Sequence, residues 1–226
     1  MSRTREKLLE VALELFARNG FHAIGLDAII NAAGVSKQTF YNHFESKDDL
    51  LLATLELRKE RETKLFAELF DELAGKDPRE QLYAHIDVIQ AWFRQPEWRG
   101  CICIRAAAEF PSPTEPAHQF AAAWFEATRQ QQQYLATLAG ARDPMKLSLQ
   151  IMTIVEGVIN VRHIAGSESG VAAARELLHE LLDRELPAPP DGPAARQSRG
   201  RTPASAPGVV RCASRQELAR GAGAER

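Results

Sequence analysis

Residues 36–44 read SKQTFYNHF, which sets Lys37, Gln38, Thr39, Tyr41, Asn42 and His43 around two phenylalanines, Phe40 and Phe44. At helical spacing Val35, Phe40 and Phe44 fall on one side and turn to a core, which leaves the six polar groups facing outward or along the edges. Those residue types suit a DNA duplex. Lys donates to guanine acceptors, Gln and Asn pair bidentately with adenine, and Thr, Tyr and His reach phosphate oxygens. A polar helix that merely caps a bundle is the blander reading, but this one holds little of the Glu/Lys filler of a solvated face.

A second set of residues suggests a small-molecule site. Trp92, Phe93, Cys103, Trp124 and Phe125, with His85 and Glu109, have the make-up of a mostly apolar pocket with a few polar anchors. Core packing accounts for the same aromatics equally well. Cys101-x-Cys103 is not a usual zinc spacing and has no second Cys/His pair nearby, so these are read as buried structural cysteines rather than a metal or redox pair. No metal or cofactor is expected. Paired carboxylates in a recognisable site, a Ser/His/Asp arrangement and a phosphate-binding glycine loop are all missing, which sets the chain apart from an enzyme built on a helical bundle.

These groups must be held by helices. Helical periodicity and helix punctuation recur from residue 3 to residue 186, and strand signals are nearly absent, so the expected class is all-α with about nine helices. Leu9, Ala12, Leu13 and Phe16 define the first helix, closed by Asn19-Gly20. LDAIINAA forms a second, short one between Gly25 and Gly34. Ser36 caps a third, and Ser46 with Asp49 opens a long helix that runs to Gly75. Asp77-Pro78 starts a helix ending near Gln95-Pro96, Trp98–Phe110 makes another, and Glu115 to Gly140 a longer one. Asp143-Pro144 opens a helix to about Ala165, and residues 167–186 supply the last. Two short helices joined by a glycine turn and packed on a longer one make a helix-turn-helix, whose second short helix enters the major groove.

Composition bounds the whole. The 226 residues include 28 Lys/Arg and 30 Asp/Glu, and 45% are hydrophobic, as in an ordinary globular chain able to bury a core. No apolar run approaches a membrane span, and MSRTREKLLE lacks the apolar stretch of a secretory signal, so no membrane partner and a cytoplasmic location are expected. Residues 1–48 are charge-balanced, 49–186 are acidic, and the last forty hold seven Arg against three acids with six of the twelve prolines. Residues 187–226 are expected to be a disordered Pro/Ala/Arg-rich tail.

Residues 5–55 resemble the N-terminal DNA-binding domain of the tetracycline-repressor (TetR) family of transcriptional regulators. The likeness rests on Leu8-Leu9-x-x-Ala12-x-x-x-Phe16 with Gly20-Phe21, the turn AAGVSK, Thr39-Phe40-Tyr41, and Phe44-x-x-Lys47-x-x-Leu50. It implies that Thr39, Tyr41, His43 and Lys47 hold the DNA backbone while Lys37, Gln38 and Asn42 read base edges. Family members often carry Thr or Ser near Ile24 and Gly25; here neither has a side-chain oxygen. Residues 100–118, GCICIRAAAEFPSPTEPAH, are similar to a Gly-Cys and Glu-Phe-Pro pattern of one branch of the family.

The resemblance further implies a division into residues 1–48 for DNA binding and 49–186 for ligand binding and dimerisation. In the family picture the last two helices form a four-helix interface with the partner of a homodimer. Ile151, Ile154, Val155, Val158, Ile159, Leu177, Leu178, Leu181 and Leu182 are the apolar groups available there. The expected function is a repressor that binds a palindromic double-stranded DNA operator as a dimer and is released by a small-molecule effector. The alternative is an activator, or a regulator that needs no effector.

Overall fold

In the computed structural model, which describes residues 2–96 and 98–188, every regular element is a helix. α1 spans Arg3–Asn19, α2 Leu26–Ala33, α3 Lys37–Tyr41, α4 Lys47–Ala74 and α5 Pro78–Tyr83. α6 spans His85–Phe93, α7 Ile102–Glu109, α8 Pro116–Leu138, α9 Pro144–Ala165 and α10 Val171–Glu185. The all-α expectation holds, with ten helices among the described residues rather than about nine. The tail expected to be disordered lies, from residue 189 onward, outside the described residues.

The additional helix comes from a break at Ala84 in what the sequence reads as one helix after Asp77-Pro78. There the Gln81 carbonyl, which a continuous helix pairs with the amide four residues on, faces the His85 ring instead, Nδ1 to O 3.2 Å. The stretch expected to be helical from Trp98 becomes so only at Ile102. Trp98 packs its ring edge-on against Trp92 and Phe93, with centroids 5.9 and 5.2 Å apart.

Helix ends follow the expected chemistry. Ser36 Oγ accepts from the Thr39 amide at 3.0 Å, and Ser46 Oγ from the Asp49 amide at 3.0 Å. Asp49 reaches back to the Glu45 amide at 2.9 Å, so both faces of the α4 start are satisfied. Asp77 and Asp143 cap α5 and α9 in the same way. Gly34 ends α2 at φ 61° and ψ 39°, a left-handed turn that lets α3 double back, and its amide meets the Asn31 carbonyl at 3.0 Å.

Two cores result. The first gathers Phe16, Phe21, Phe40 and Phe44 with Ile29, Leu50 and Leu55, and it continues into Ile102, Ala106 and Phe120 of α7 and α8. It therefore extends past residue 48 into the body. The second lies between α5, α6, α9 and α10, around Leu82, Ile86, Ile151, Leu178 and Leu182.

That second core takes most of the residues the sequence assigns to a subunit interface. Ile151, Val155, Val158, Leu178, Leu181 and Leu182 are buried inside the protomer, and Ile154 is half-buried against them. The reason is periodicity: the most apolar stripe of each helix meets its own neighbours first. The stripe left outside runs along Leu149, Thr153, Gly157, Asn160 and Ile164 of α9, with Leu177 on α10; Ile164 is 84% and Leu177 57% exposed. No helix among the described residues is long and apolar enough to cross a membrane.

Candidate nucleic-acid interface and body cavity

α3 is one and a half turns long, and its position depends on one buried residue within it and one just after it. Phe40 and Phe44 sit in the first core with ring centroids 5.8 Å apart. Each fully buried ring contributes about 1.5–3 kcal/mol of apolar burial, enough to pin a helix too short to form alone. Lys37, Gln38, Tyr41 and Asn42 are exposed, and Thr39 and His43 half-buried. All six thus remain at least partly open to solvent.

The groups are partly preorganised. Gln38 Nε2 donates to Asn42 Oδ1 at 3.2 Å across one turn, which fixes both amide planes together. Thr39 Oγ1 lies 2.8 Å from Ser36 Oγ, tying it to the cap. Lys37 Nζ is 3.6 Å from an Asp27 carboxylate oxygen, a loose and exposed pair that a phosphate can replace. Tyr41, at 48% exposure, stands edge-on to Phe40.

Lys47 has an internal task besides. Its ammonium donates to the Phe21 carbonyl at 2.6 Å and lies over the Phe16 ring. α2 starts at Gly25 with no side-chain cap, as the missing hydroxyl implies.

On the other side of this head, α7 supplies its anchor to the body. Glu109 Oε2 accepts from the Phe21 and His22 amides at 2.8 and 2.9 Å, and the Glu109 carbonyl lies 2.8 Å from His22 Nε2. Arg105 Nη1 donates to the Phe16 and Ala17 carbonyls at 2.9 and 2.7 Å in the last turn of α1, the first of which also accepts from the Gly20 amide. Gly20 makes the approach possible. It adopts φ 88°, and a Cβ there would stand 2.7 Å from Glu109 Oε1. Glu109 is thus a clamp on the head, not a cavity residue. Arg105 was not singled out from the sequence; its spacing of four from Glu109, on one side of α7, is the signal that could have found it.

The body holds a half-open cavity of about 510 Å³ among α4, α6, α7, α8 and α9. Trp92, Cys103, Trp124 and Phe125 line it, as grouped from the sequence. His85 and Phe93 do not. Phe93 packs in the second core, and His85 lies under Phe70, ring centroids 4.8 Å apart, where burial lowers its pKa to about 4 and keeps it neutral. Cys101 also borders the cavity, and burial pushes the Cys103 thiol well up, with Cys101 beside it adding to the effect. Neither the spacing nor that environment favours a reactive thiolate. Among the described residues no three His, Cys, Asp or Glu side chains gather in a way that could hold a metal ion.

The carboxylates that line the cavity are Glu62, Glu126 and Glu156 rather than Glu109, the one acid the sequence reading grouped there. Glu62 is buried and accepts from Arg58 Nε at 2.8 Å; burial raises its pKa and the guanidinium opposes the shift. Glu126 is held well down, to about 2, by the bidentate guanidinium of Arg129. Glu156 is half-buried, and burial raises its pKa. No helix pattern separates such groups from solvent-facing acids: Glu62 occupies a buried position, Glu126 an exposed one, and Glu156 the position after buried Val155.

Comparison with known proteins fits this arrangement. Residues 8–54 match the family model described as bacterial regulatory proteins, tetR family. An uncharacterised HTH-type transcriptional regulator of Bacillus subtilis, YerO, is 35% identical over 86 residues, 38% of this chain and 30% of its own length. The chain thus matches less than a third of that curated relative. Solved structures extend over nearly the whole fold. One TetR-family transcriptional regulator from Streptomyces coelicolor superposes with a TM-score of 0.74 at 25% identity, over 80% of this chain and 95% of the other. Another, described as a TetR transcriptional regulator from Streptomyces avermitilis, gives 0.70 at 30% identity over 81% and 98%. With the head, the helical body and a likeness over 80% of the chain in agreement, the chain belongs to the TetR family of transcriptional regulators.

Proposed function

We propose that the protein is a repressor that acts in the cytoplasm, binds a palindromic operator as a homodimer through α3, and is released when a small molecule fills the body cavity. The observation that carries this reading is the two-sidedness of α7. Cys103 and Ala107 face the cavity, while Arg105 and Glu109, on another side of the same helix, hold the end of α1 and the turn after it. A ligand that displaces α7 or α4 therefore moves the head. A hundredfold loss of DNA affinity requires about 2.7 kcal/mol of preference for the displaced state.

Dimerisation supplies what one short helix lacks. Two heads related by a two-fold axis read half-sites spaced by about a helical turn or a multiple of it. The outer stripe of Leu149, Val161 and Ile164 on α9, with Leu177 on α10, is the apolar surface suited to the partner.

The test is retention of genomic DNA by the purified protein, with sequencing of the retained fragments. One palindromic sequence is expected. Asn42→Ala and Tyr41→Ala should abolish retention, whereas Lys47→Ala is uninformative because that side chain also supports Phe21. Retention of no sequence in preference to others would sink the reading.

A further inference from the structure

We propose that the body cavity takes a lipophilic aromatic cation, an ammonium, pyridinium or phosphonium flanked by rings, with Glu156 as its counter-charge. This rests on the cavity being the effector site. Three carboxylates border it, but they are not equivalent. Glu62 is paired with Arg58, and Glu126 is paired through both oxygens with Arg129. The Glu156 carboxylate has neither an ion pair nor a hydrogen bond among the described residues, although it is withdrawn from solvent. No Lys or Arg borders the cavity, and its one imidazole, His118, has Nδ1 at the Phe110 carbonyl, 2.8 Å away. The two thiols, Cys101 and Cys103, are the remaining titratable neighbours, and burial keeps Cys103 protonated.

Glu156 is therefore the one cavity carboxylate without a guanidinium partner, inside walls of Phe66, Trp92, Trp124 and Phe125. Aromatic faces attract cations and a lone, partly desolvated carboxylate does so more strongly. A neutral ligand without a hydrogen-bond donor would strip further water from Glu156 and offer nothing in return, and an anion would meet repulsion. A cavity of about 510 Å³ is in the range that encloses a drug-sized molecule.

Three probes of similar ring content and different charge decide the matter: tetraphenylphosphonium, triphenylphosphine oxide and tetraphenylborate. Binding to the full-length protein is read by calorimetry and by quenching of tryptophan fluorescence. The phosphonium should bind roughly tenfold or more tighter than the neutral and anionic probes, and Glu156→Gln should remove that preference while leaving thermal unfolding unchanged. Equal binding of the three, failure of the phosphonium to bind, or a preference untouched by Glu156→Gln would overturn the proposal. If that variant does not fold, the comparison of probes on the wild-type chain decides alone. The underlying reading fails differently: phosphonium binding with the charge preference but without release of retained DNA leaves the ligand class standing and removes the effector role. Release of DNA by the neutral probe does the reverse.

Discussion

The head and the body of this molecule solve opposite packing problems. Around α3 everything apolar is closed: Phe16, Phe21, Phe40 and Phe44 are buried, and the polar groups are turned out and paired with one another. In the body, α4, α6, α8 and α9 stand apart around empty space that holds carboxylates as well as rings. A closed core fixes the position of what it carries; an open one can be changed by what enters it. α7 touches both, which is why its short sequence holds Ile102 and Ala106 for the first core, Cys103 and Ala107 for the cavity, and Arg105 and Glu109 for the clamp.

The largest effect that can break this contrast is one substitution made in both places. Phe40→Ala should cost about 3–5 kcal/mol of stability, because the first core cannot collapse around the loss. Phe125→Ala should cost under about 1 kcal/mol, since that ring is 41% exposed and borders space already empty. Urea unfolding of the two variants measures both. Equal losses would mean that the cavity wall is packed as tightly as the head.

A second test uses acid. His85 is neutral in the folded body down to about pH 4, whereas in the unfolded chain it protonates near 6.5. Between those values the unfolded state binds the extra proton, so stability falls as pH falls, by about 2.5 kcal/mol at pH 4.5 relative to pH 7. His85→Gln should lose that part of the acid slope. If both proteins weaken equally between pH 7 and 4.5, the buried neutral ring is not the cause.

The clamp comes next. Glu109→Ala leaves the Phe21 and His22 amides without their acceptor and should cost about 1–3 kcal/mol, read as earlier hydrogen exchange of the turn after α1 than of α9. Gly20→Ala, which meets the same carboxylate and a left-handed backbone, should loosen the same turn. A uniform change in exchange across the chain would show that head and body are one unit and that no separate hinge exists.

How much of this was legible follows from the reach of each interaction. The head was legible because its signals are local: a cap three residues from its amide, a glycine at a left-handed turn, two phenylalanines four apart. The helices of the body were legible for the same reason, except at Ala84, where a buried histidine intervenes from within the chain's own turn, and before Ile102, where Trp98 packs on Trp92 and Phe93 instead. The clamp was not, since Glu109 and Phe21 are 88 residues apart and an acid beside apolar residues reads equally as a pocket anchor. The apolar faces of α9 and α10 were read as one surface, although each helix has an inner and an outer stripe, and only packing separates Leu178 from Leu177.

The finest comparison lies inside the head, between a helix with a side-chain cap and one without. Ser36 Oγ accepts from the Thr39 amide at the start of α3, while Gly25 at the start of α2 offers no acceptor. Ser36→Ala should therefore cost about 1 kcal/mol. Gly25→Ser should gain a few tenths to about 1 kcal/mol, from the added cap and the stiffer unfolded chain, because φ is −78° there and a Cβ meets nothing within 4 Å. The informative quantity is the effect on DNA retention. If the new hydroxyl reaches a phosphate, Gly25→Ser tightens DNA binding beyond its gain in stability. If affinity is unchanged while the unfolding midpoint rises, α2 holds α3 in place and does not itself touch the duplex.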